Sequence, residues 1–444
     1  MSIAEEYLGN TKAKISETVV DITDAVPDTT RLQRYLSTRS VLSTASSFAI
    51  RQQEAQETPI GPEKIGEGFC AEIFDLPGAG RVVKRARQDP TKTVELWRDF
   101  GSHLRIFESM NHPEAAGIDI NVPKPSYFVT AADFAEWANV HQLHQYTKRT
   151  GTDKLPELLR EQSAILVSER ILPLPQTIRT ALVNTFCPIS MRQASLSDVK
   201  NKDCLIRIYL GVRRPNPLHH DMSQDFSLRN FELTLDKMQH LNIDPLQFVP
   251  PIAEALAVMH WDARRDATDV EFVLGSAPES RITARDFDDM DKDGGLGIQT
   301  TWQRPKRMPQ DTLDFSRRAV SMWLLDFNQV ERLQMNDEGM KKIRWAFWNN
   351  DPYYPRPEET RLWDAFKKAY LARSARIDDD SPRPQRFIDG IEADAKARLS
   401  ANQGPPKAGP SSSPAPPIAP GALPMAHNTK EKKGKKHRKY ASIA

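Results

Sequence analysis

The period of the apolar residues changes along the chain, and that change limits the folds open to it. From residue 65 to 84 apolar residues come in short runs separated by glycine and proline: Ile65–Phe74, the turn Leu76-Pro-Gly-Ala-Gly80, then Arg81–Lys84. Thr91–Met110 switches to helical spacing, with apolar residues at 94, 96, 97, 100, 104, 106 and 107. Asn121–Thr130, Ala164–Ile171 and Leu205–Tyr209 read as further strands. Pro251–His260 reads as an amphipathic helix, Met340–Asn350 and Leu362–Arg373 as helices, and Val270–Leu274 and Met322–Phe327 as short buried strands. Strands first, then mainly helices with two strands embedded, predict an α+β chain of two lobes, a small β-rich one followed by a larger helical one.

Composition sets the limits of that body. All eight tryptophans fall between Trp97 and Trp363, whereas eight of the 33 prolines crowd into residues 401–444. The expected organisation is a weakly structured arm over 1–57, the first lobe and a connecting hinge over 58–175, and the second lobe over 176–395. An insertion is expected at about 276–320, and a disordered proline-rich linker with a basic tail over 396–444. The tail carries a formal +7, which leaves −5 on the first 400 residues of a chain whose total is +2. A mildly acidic body argues against bulk nucleic-acid binding, except weakly through the tail. The tail's Lys430–Lys439 is compatible with nuclear import or with a solubilising role. Three scattered cysteines, Cys70, Cys187 and Cys204, argue against a disulfide framework and a zinc module alike. No apolar run is long enough to span a membrane, and the N-terminus has no secretory pattern, so a cytoplasmic or nuclear, non-secreted protein is expected.

Five local features carry chemistry because of their order. Ile65-Gly66-Glu67-Gly68-Phe69-Cys70-Ala71 places two glycines, Gly66 and Gly68, where backbone N–H groups can approach phosphates; an ordinary glycine hairpin is the plainer alternative. Lys84 follows Val82-Val83 on a strand and can reach a phosphate. Glu95 and Asp99 lie four apart on the next helix, so either can hold that lysine. Arg264-Arg265-Asp266-Ala-Thr-Asp269-Val270-Glu271 puts carboxylates at both ends of a loop that enters a strand. Leu325-Asp326-Phe327-Asn328 ends a strand on a carboxylate suited to a divalent cation.

In that order the features resemble the protein-kinase-like fold, whose signature set is a Gly-rich loop, a strand lysine, a helix carboxylate, H-R-D-x-x-x-x-N and D-F-G. The resemblance implies that Lys84 holds phosphates and that Asp266 takes the catalytic position. It also implies that Glu271 and Asp326 hold Mg²⁺, and that Glu169 and Ile171 lie in the hinge that binds adenine. The sequence departs from the set at Ala71, Arg264, Glu271 and Asn328, and an A-P-E at 277–279 lies before Asp326 rather than after it. At a finer level the body, over roughly 60–395, resembles a fungal family of unknown function whose members are often labelled "zinc finger protein". That likeness rests on Cys204–Gly211, Phe226–Phe231, Met259-His-Trp261 with Asp269–Gly275, Leu325–Gln329 and Asn350–Pro357.

Three functions remain open. The first is a nucleotide-binding pseudokinase or regulatory module, with ATP and Mg²⁺ as cofactors, no zinc, and a protein partner. The second is an active Mg-ATP-dependent phosphotransferase acting on a small molecule or protein. The third is an interaction scaffold without nucleotide. Asp289-Met-Asp291-Lys-Asp293-Gly294 matches the first half of a calcium loop, but position 12 is Thr300 rather than glutamate, so an acidic loop is expected there.

Overall fold

Glycine and proline mark where the strands break. In the computed structural model, which describes residues 26–37, 40–43, 47–57, 60–68, 70–141, 143, 156–214, 226–280, 313–350 and 352–402, the expected strand at 65–74 is two strands, β2 (Glu63–Glu67) and β3 (Ala71–Leu76). The Gly68 N–H donates to the Ala71 carbonyl at 2.8 Å and closes their hairpin. Gly78 and Gly80, both at positive φ, turn the chain into β4 (Arg81–Ala86). With β5 (Pro125–Val129) and β6 (Ile165–Glu169) these form a wholly antiparallel sheet in the order β2-β3-β4-β6-β5.

Helix α3 (Pro90–Met110) packs against this sheet. Asp89 caps it by accepting from the Thr91 N–H, and a proline occupies its first turn. It buries Leu96, Asp99, His103 and Ile106, and leaves Val94 and Trp97 exposed.

The second sheet runs β1 (Ser40–Ser43), β10 (Leu313–Leu325), β9 (Glu271–Ser280), β7 (Ile206–Tyr209), β8 (Phe231–Thr234). Only β7 and β8 are parallel. The strands expected at 270–274 and 322–327 are therefore the inner ends of a long antiparallel pair, whose register runs from Glu271↔Leu325 to Leu313↔Ser280. They frame the expected insertion. Its middle, including the acidic 289–300 loop, lies outside the described residues, and so do 403–444.

Helix α8 (Val249–Trp261) differs from expectation. It is buried on nearly every side rather than amphipathic, because α3 and α10 (Thr360–Ile377) both cover it. Helix α9 (Asp337–Asn349) starts earlier than expected, and α11 (Arg383–Asn402) runs through the start of the expected linker. Smaller helices α4 (Phe134–Val140), α5 (Gln176–Phe186), α6 (Arg192–Ser197) and α7 (Leu235–His240) complete the α+β chain.

The N-terminal arm also departs from expectation over its described part. Helix α1 (Asp28–Ser37) buries Leu32, Tyr35 and Leu36 in the main core. Helix α2 (Ser47–Glu57) lies against β10 and the β3–β4 turn. Gln52 donates to the buried Asp75 at 2.8 Å and accepts from the Gly78 N–H at 2.8 Å. A Cβ on Gly78 would sit 2.6 Å from the Ala55 carbonyl carbon, so this approach requires glycine. The guanidinium groups of Arg170 and Arg318 lie 5.2 and 5.3 Å from the Phe48 ring. A polar stretch with few apolar residues is thus tied down by a handful of side chains that periodicity does not reveal.

Candidate functional site

Lys84 sits on β4 opposite Leu166 of β6, with its side chain turned toward α3. Its Nζ lies 3.0 Å from Asp99 Oδ2, and Asp99 is fully buried. Of the two carboxylates the sequence offered, Asp99 meets Lys84. Glu95 pairs instead with Lys92 at 2.9 Å, one turn earlier on the same helix. Burial opposes the lysine's charge, but Asp99 and then Asp326 outweigh it, and the ammonium is held above its ordinary range.

Asp326 follows β10 directly and adopts φ +65°, a left-handed conformation unusual for a non-glycine residue. Its Oδ1 is buried without a hydrogen-bond partner. Burial pushes its carboxyl well above the usual range, Lys84 opposes this, and Glu271, Asp99 and Asp269 add to it. Glu271, the first residue of β9, is pushed up to about 7, chiefly by burial and against the pull of Arg207. Arg207, in the middle of β7, forms an ion pair with Glu271. The site thus gathers Lys84, Asp99, Asp326, Glu271 and Arg207 from five separate elements.

Phe327 anchors the segment behind Asp326. Its ring lies 5.0 Å from that of His103, one turn beyond Asp99 on α3. His103 Nε2 donates to the Pro123 carbonyl at 2.6 Å, and burial holds the ring neutral down to about 4. Ser102 Oγ donates to the Val330 carbonyl at 3.2 Å. Helix α3 therefore holds the Asp326 segment at two successive residues, Ser102 and His103.

Asp266 is fully buried in the loop between α8 and β9, where Arg264, Ala267 and Asp269 all have positive φ. Its Oδ1 accepts from the Thr268 and Glu331 N–H groups at 3.1 and 3.0 Å, and Lys342 Nζ lies 3.0 Å from Oδ2. Two backbone donors engage Oδ1, while Oδ2 faces Lys342 as an ion pair without a hydrogen bond.

Two arginines hold the backbone of the glycine hairpin. Arg87 donates to the Gly68 carbonyl at 3.1 Å, and Arg229 donates to the Ile65 carbonyl at 2.9 Å. Gly66 pairs with Ile73 across a bulge. Neither Gly66 nor Gly68 has positive φ. Buried Cys70 lies 3.9 Å, Sγ to Nδ2, from Asn328.

At the expected hinge, the Glu169 carboxylate accepts from the Lys124 N–H at 2.9 Å, and Arg170 N–H donates to the Gly80 carbonyl. Leu172 exchanges both backbone bonds with Ser276 of β9 at 2.8 Å. Between them, the N–H and C=O of Ile171 make no hydrogen bond among the described residues. A Cβ on Gly275 would stand 2.3 Å from Ile171 Cγ2, so β9 packs directly beneath this residue.

Sequence reasoning passed over Arg207, Lys342 and His103. An arginine inside the apolar run Leu205–Tyr209 was a readable signal, since a charge in a buried strand demands a partner. Lys342 and His103 carry no such mark; only the packing of α9 and α3 reveals them.

The fold and site define an α+β protein with a buried lysine–carboxylate centre between two sheets. Residues 322–382, which carry Asp326, Lys342, α9 and α10, match the model of a family described as "Zinc finger protein". No curated protein and no solved structure compared with the chain matches it significantly. All three cysteines are buried and free, and no group of three or more His, Cys, Asp or Glu is placed to hold a metal ion among the described residues. No helix among them is long and apolar enough to cross a membrane.

Proposed function

We propose that the centre around Lys84 binds a nucleotide in a protein-kinase-like cleft of two lobes, and that the protein works as a pseudokinase or regulatory binding module rather than as an active phosphotransferase. The observation that carries this reading is the Lys84–Asp99 pair with Asp326 inside its electrostatic field. Residues 15 and 242 positions away from a strand lysine meet it in a buried space. Such an arrangement holds an ammonium rigidly where phosphate oxygens can reach it. The unbonded N–H and C=O of Ile171 offer the donor and acceptor that a purine edge needs.

Binding without turnover is favoured by the two carboxylates already neutralised. Asp266, the expected acceptor-orienting group, is taken by Lys342 and by two backbone N–H groups. Glu271 is taken by Arg207. A general base must be able to reach the hydroxyl it activates. The surplus of buried carboxylates still fits a divalent cation: Asp326 has an orphaned oxygen and is crowded by Glu271 and Asp269. Asp326, with Glu271 once released from Arg207, would hold Mg²⁺, and the ion would neutralise phosphate charge there. The buried cysteines offer no comparable fit to zinc.

The test is a thermal-shift titration of the full chain with ATP, with and without Mg²⁺, beside Lys84→Ala and Asp326→Asn. A ligand bound only by the native state raises the unfolding midpoint. The reading expects a rise with ATP that Lys84→Ala abolishes, without hydrolysis over hours. No rise under any condition would remove the nucleotide and leave the scaffold reading. ATP turnover lost in Asp266→Asn would restore the phosphotransferase.

A further inference from the structure

A second constellation lies away from Lys84, where the Asp266 loop meets the segment after Asp326. The two stretches form a short antiparallel bridge. Leu333 N–H donates to the Arg264 carbonyl at 2.9 Å, and Asp266 N–H donates to the Glu331 carbonyl at 3.1 Å. The bridge sets Arg265 directly opposite Arg332. Like charges at paired strand positions repel, yet here the backbone forces them together. Arg264 stands beside them, and Arg105 reaches in from α3. These four arginines line a cavity of about 590 Å³, together with Trp261, Ala263, Ile377, Asp262 and Asp378.

The charges are poorly answered from within. Asp262 is taken by His112, whose Nδ1 lies 2.8 Å from it. Among the described residues, Arg105 has only Glu108 at 4.0 Å, itself an exposed side chain. Among the described residues, no carboxylate pairs with Arg264, Arg265 or Arg332. Arg265 is half-buried, donates only to the carbonyls of Ala263 and Arg264, and keeps a buried Nε without a partner. Burial, then Arg105 and Arg332, make its charge harder to hold.

We propose that this arginine-lined cavity is a binding site for the phosphate groups of a small molecule. Four guanidiniums against two carboxylates leave a formal +2, which matches a phosphate near −1.5 to −2. Guanidinium forks meet phosphate oxygens two at a time. The cavity has the size of a small-molecule pocket. Residues 326–342 hold no Ser, Thr or Tyr, so the segment that builds one wall offers no phosphorylation site of its own. The site does not depend on the nucleotide reading, and the arginines belong to neither the Lys84 nor the Ile171 region.

The experiment is isothermal calorimetry on the full chain with inorganic pyrophosphate as the probe, in buffer of fixed ionic strength, with sodium chloride as the blank. Arg332→Gln and Arg105→Gln change exposed side chains, so both variants are expected to fold, which circular dichroism verifies. Saturable binding is expected in the wild type, and about tenfold weaker in each arginine variant. Heat that only tracks ionic strength, or binding equal in wild type and Arg332→Gln, overturns the site. Binding lost in Asp326→Asn and kept in both arginine variants would move the anion to the Lys84 centre and overturn it equally. A phosphoserine peptide runs in parallel; if it saturates while pyrophosphate gives no heat, the small-molecule assignment fails.

Discussion

Replacing Asp99 with asparagine tests the buried centre most directly. The Lys84–Asp99 separation is 3.0 Å, and Asp99 is fully buried while the Lys84 side chain is 13% exposed. At an effective dielectric of about 20, two unit charges at that distance attract by about 5.5 kcal/mol. Asparagine keeps the shape and some hydrogen bonding, and Asp326 remains to attract the ammonium, so part of this is recovered. Removing one partner of a buried pair typically costs about 3–5 kcal/mol, because the remaining charge is stranded. Asp99→Asn is therefore expected to destabilise by about 3 kcal/mol or more, read as a drop in the urea midpoint at pH 7. Removing both charges with Lys84→Met/Asp99→Leu strands nothing, since loss of Lys84 drives Asp326 further toward its neutral form. The double variant should fall closer to wild type than Asp99→Asn does, with a coupling of about 2 kcal/mol or more between the sites. If the two single losses simply add, or if Asp99→Asn unfolds at the wild-type midpoint, the pair is not the organising contact described above.

Other outcomes follow from the same geometry. Glu271 binds its proton up to about 7 in the folded chain, against an ordinary 4.5, so the folded state holds more protons in that window. Its contribution to stability is therefore lost as pH rises from about 4.5 to about 7. His103, neutral down to about 4, acts with the opposite sign below its ordinary 6.5. The clean reading is thus the difference in urea midpoint between wild type and Glu271→Gln, which should grow in favour of the variant as pH rises. Arg207→Met releases Glu271, and the ATP-induced midpoint rise should then depend more steeply on Mg²⁺ than in the wild type; an unchanged Mg²⁺ dependence would show that Arg207 does not compete with the ion. Gly78→Ala forces a Cβ to 2.6 Å from the Ala55 backbone at a φ of +78°, and should cost about 1–3 kcal/mol and make α2 the first segment cut by limited proteolysis.

Much of the fold was legible because strands and helices announce themselves by period. The hairpins around the glycines, α3 and the inner ends of β9 and β10 stand close to where the apolar spacing puts them. The two candidates for the partner of Lys84 were also legible, since residues four apart share a helix face. The choice between them was not. It depends on which face α3 turns inward, and that is decided by Ile106 and Leu96 against the sheet and core. The contacts of the arm were not legible for a related reason. Gln52, Phe48 and Leu32 act one at a time on distant partners, so no local pattern marks them. The outer halves of β9 and β10 were missed because Ala277-Pro-Glu and Arg317-Arg318 look like loop sequence until a partner strand is beside them. Arg207 and Lys342 were missed because their worth lies in a carboxylate far away in sequence.

The pairing of β1 with β10 has a consequence for how the protein is made. Ser40 lies opposite Val320, and Gln56 donates to the Leu313 carbonyl, so the earliest described segments close against some of the later ones. At translation rates of about 5–20 residues per second, the 280 positions between Ser40 and Val320 take roughly 14–56 s to emerge. During that interval α1 already has α5 to pack on, but β1 and α2 have no β10 to meet, and the outer edge of the second sheet does not yet exist. Closing so long a loop also slows folding after release. A nascent chain stalled before residue 313 therefore presents β1 and α2 without their partner strand. Those two segments then stand open to chaperone capture until β10 is made.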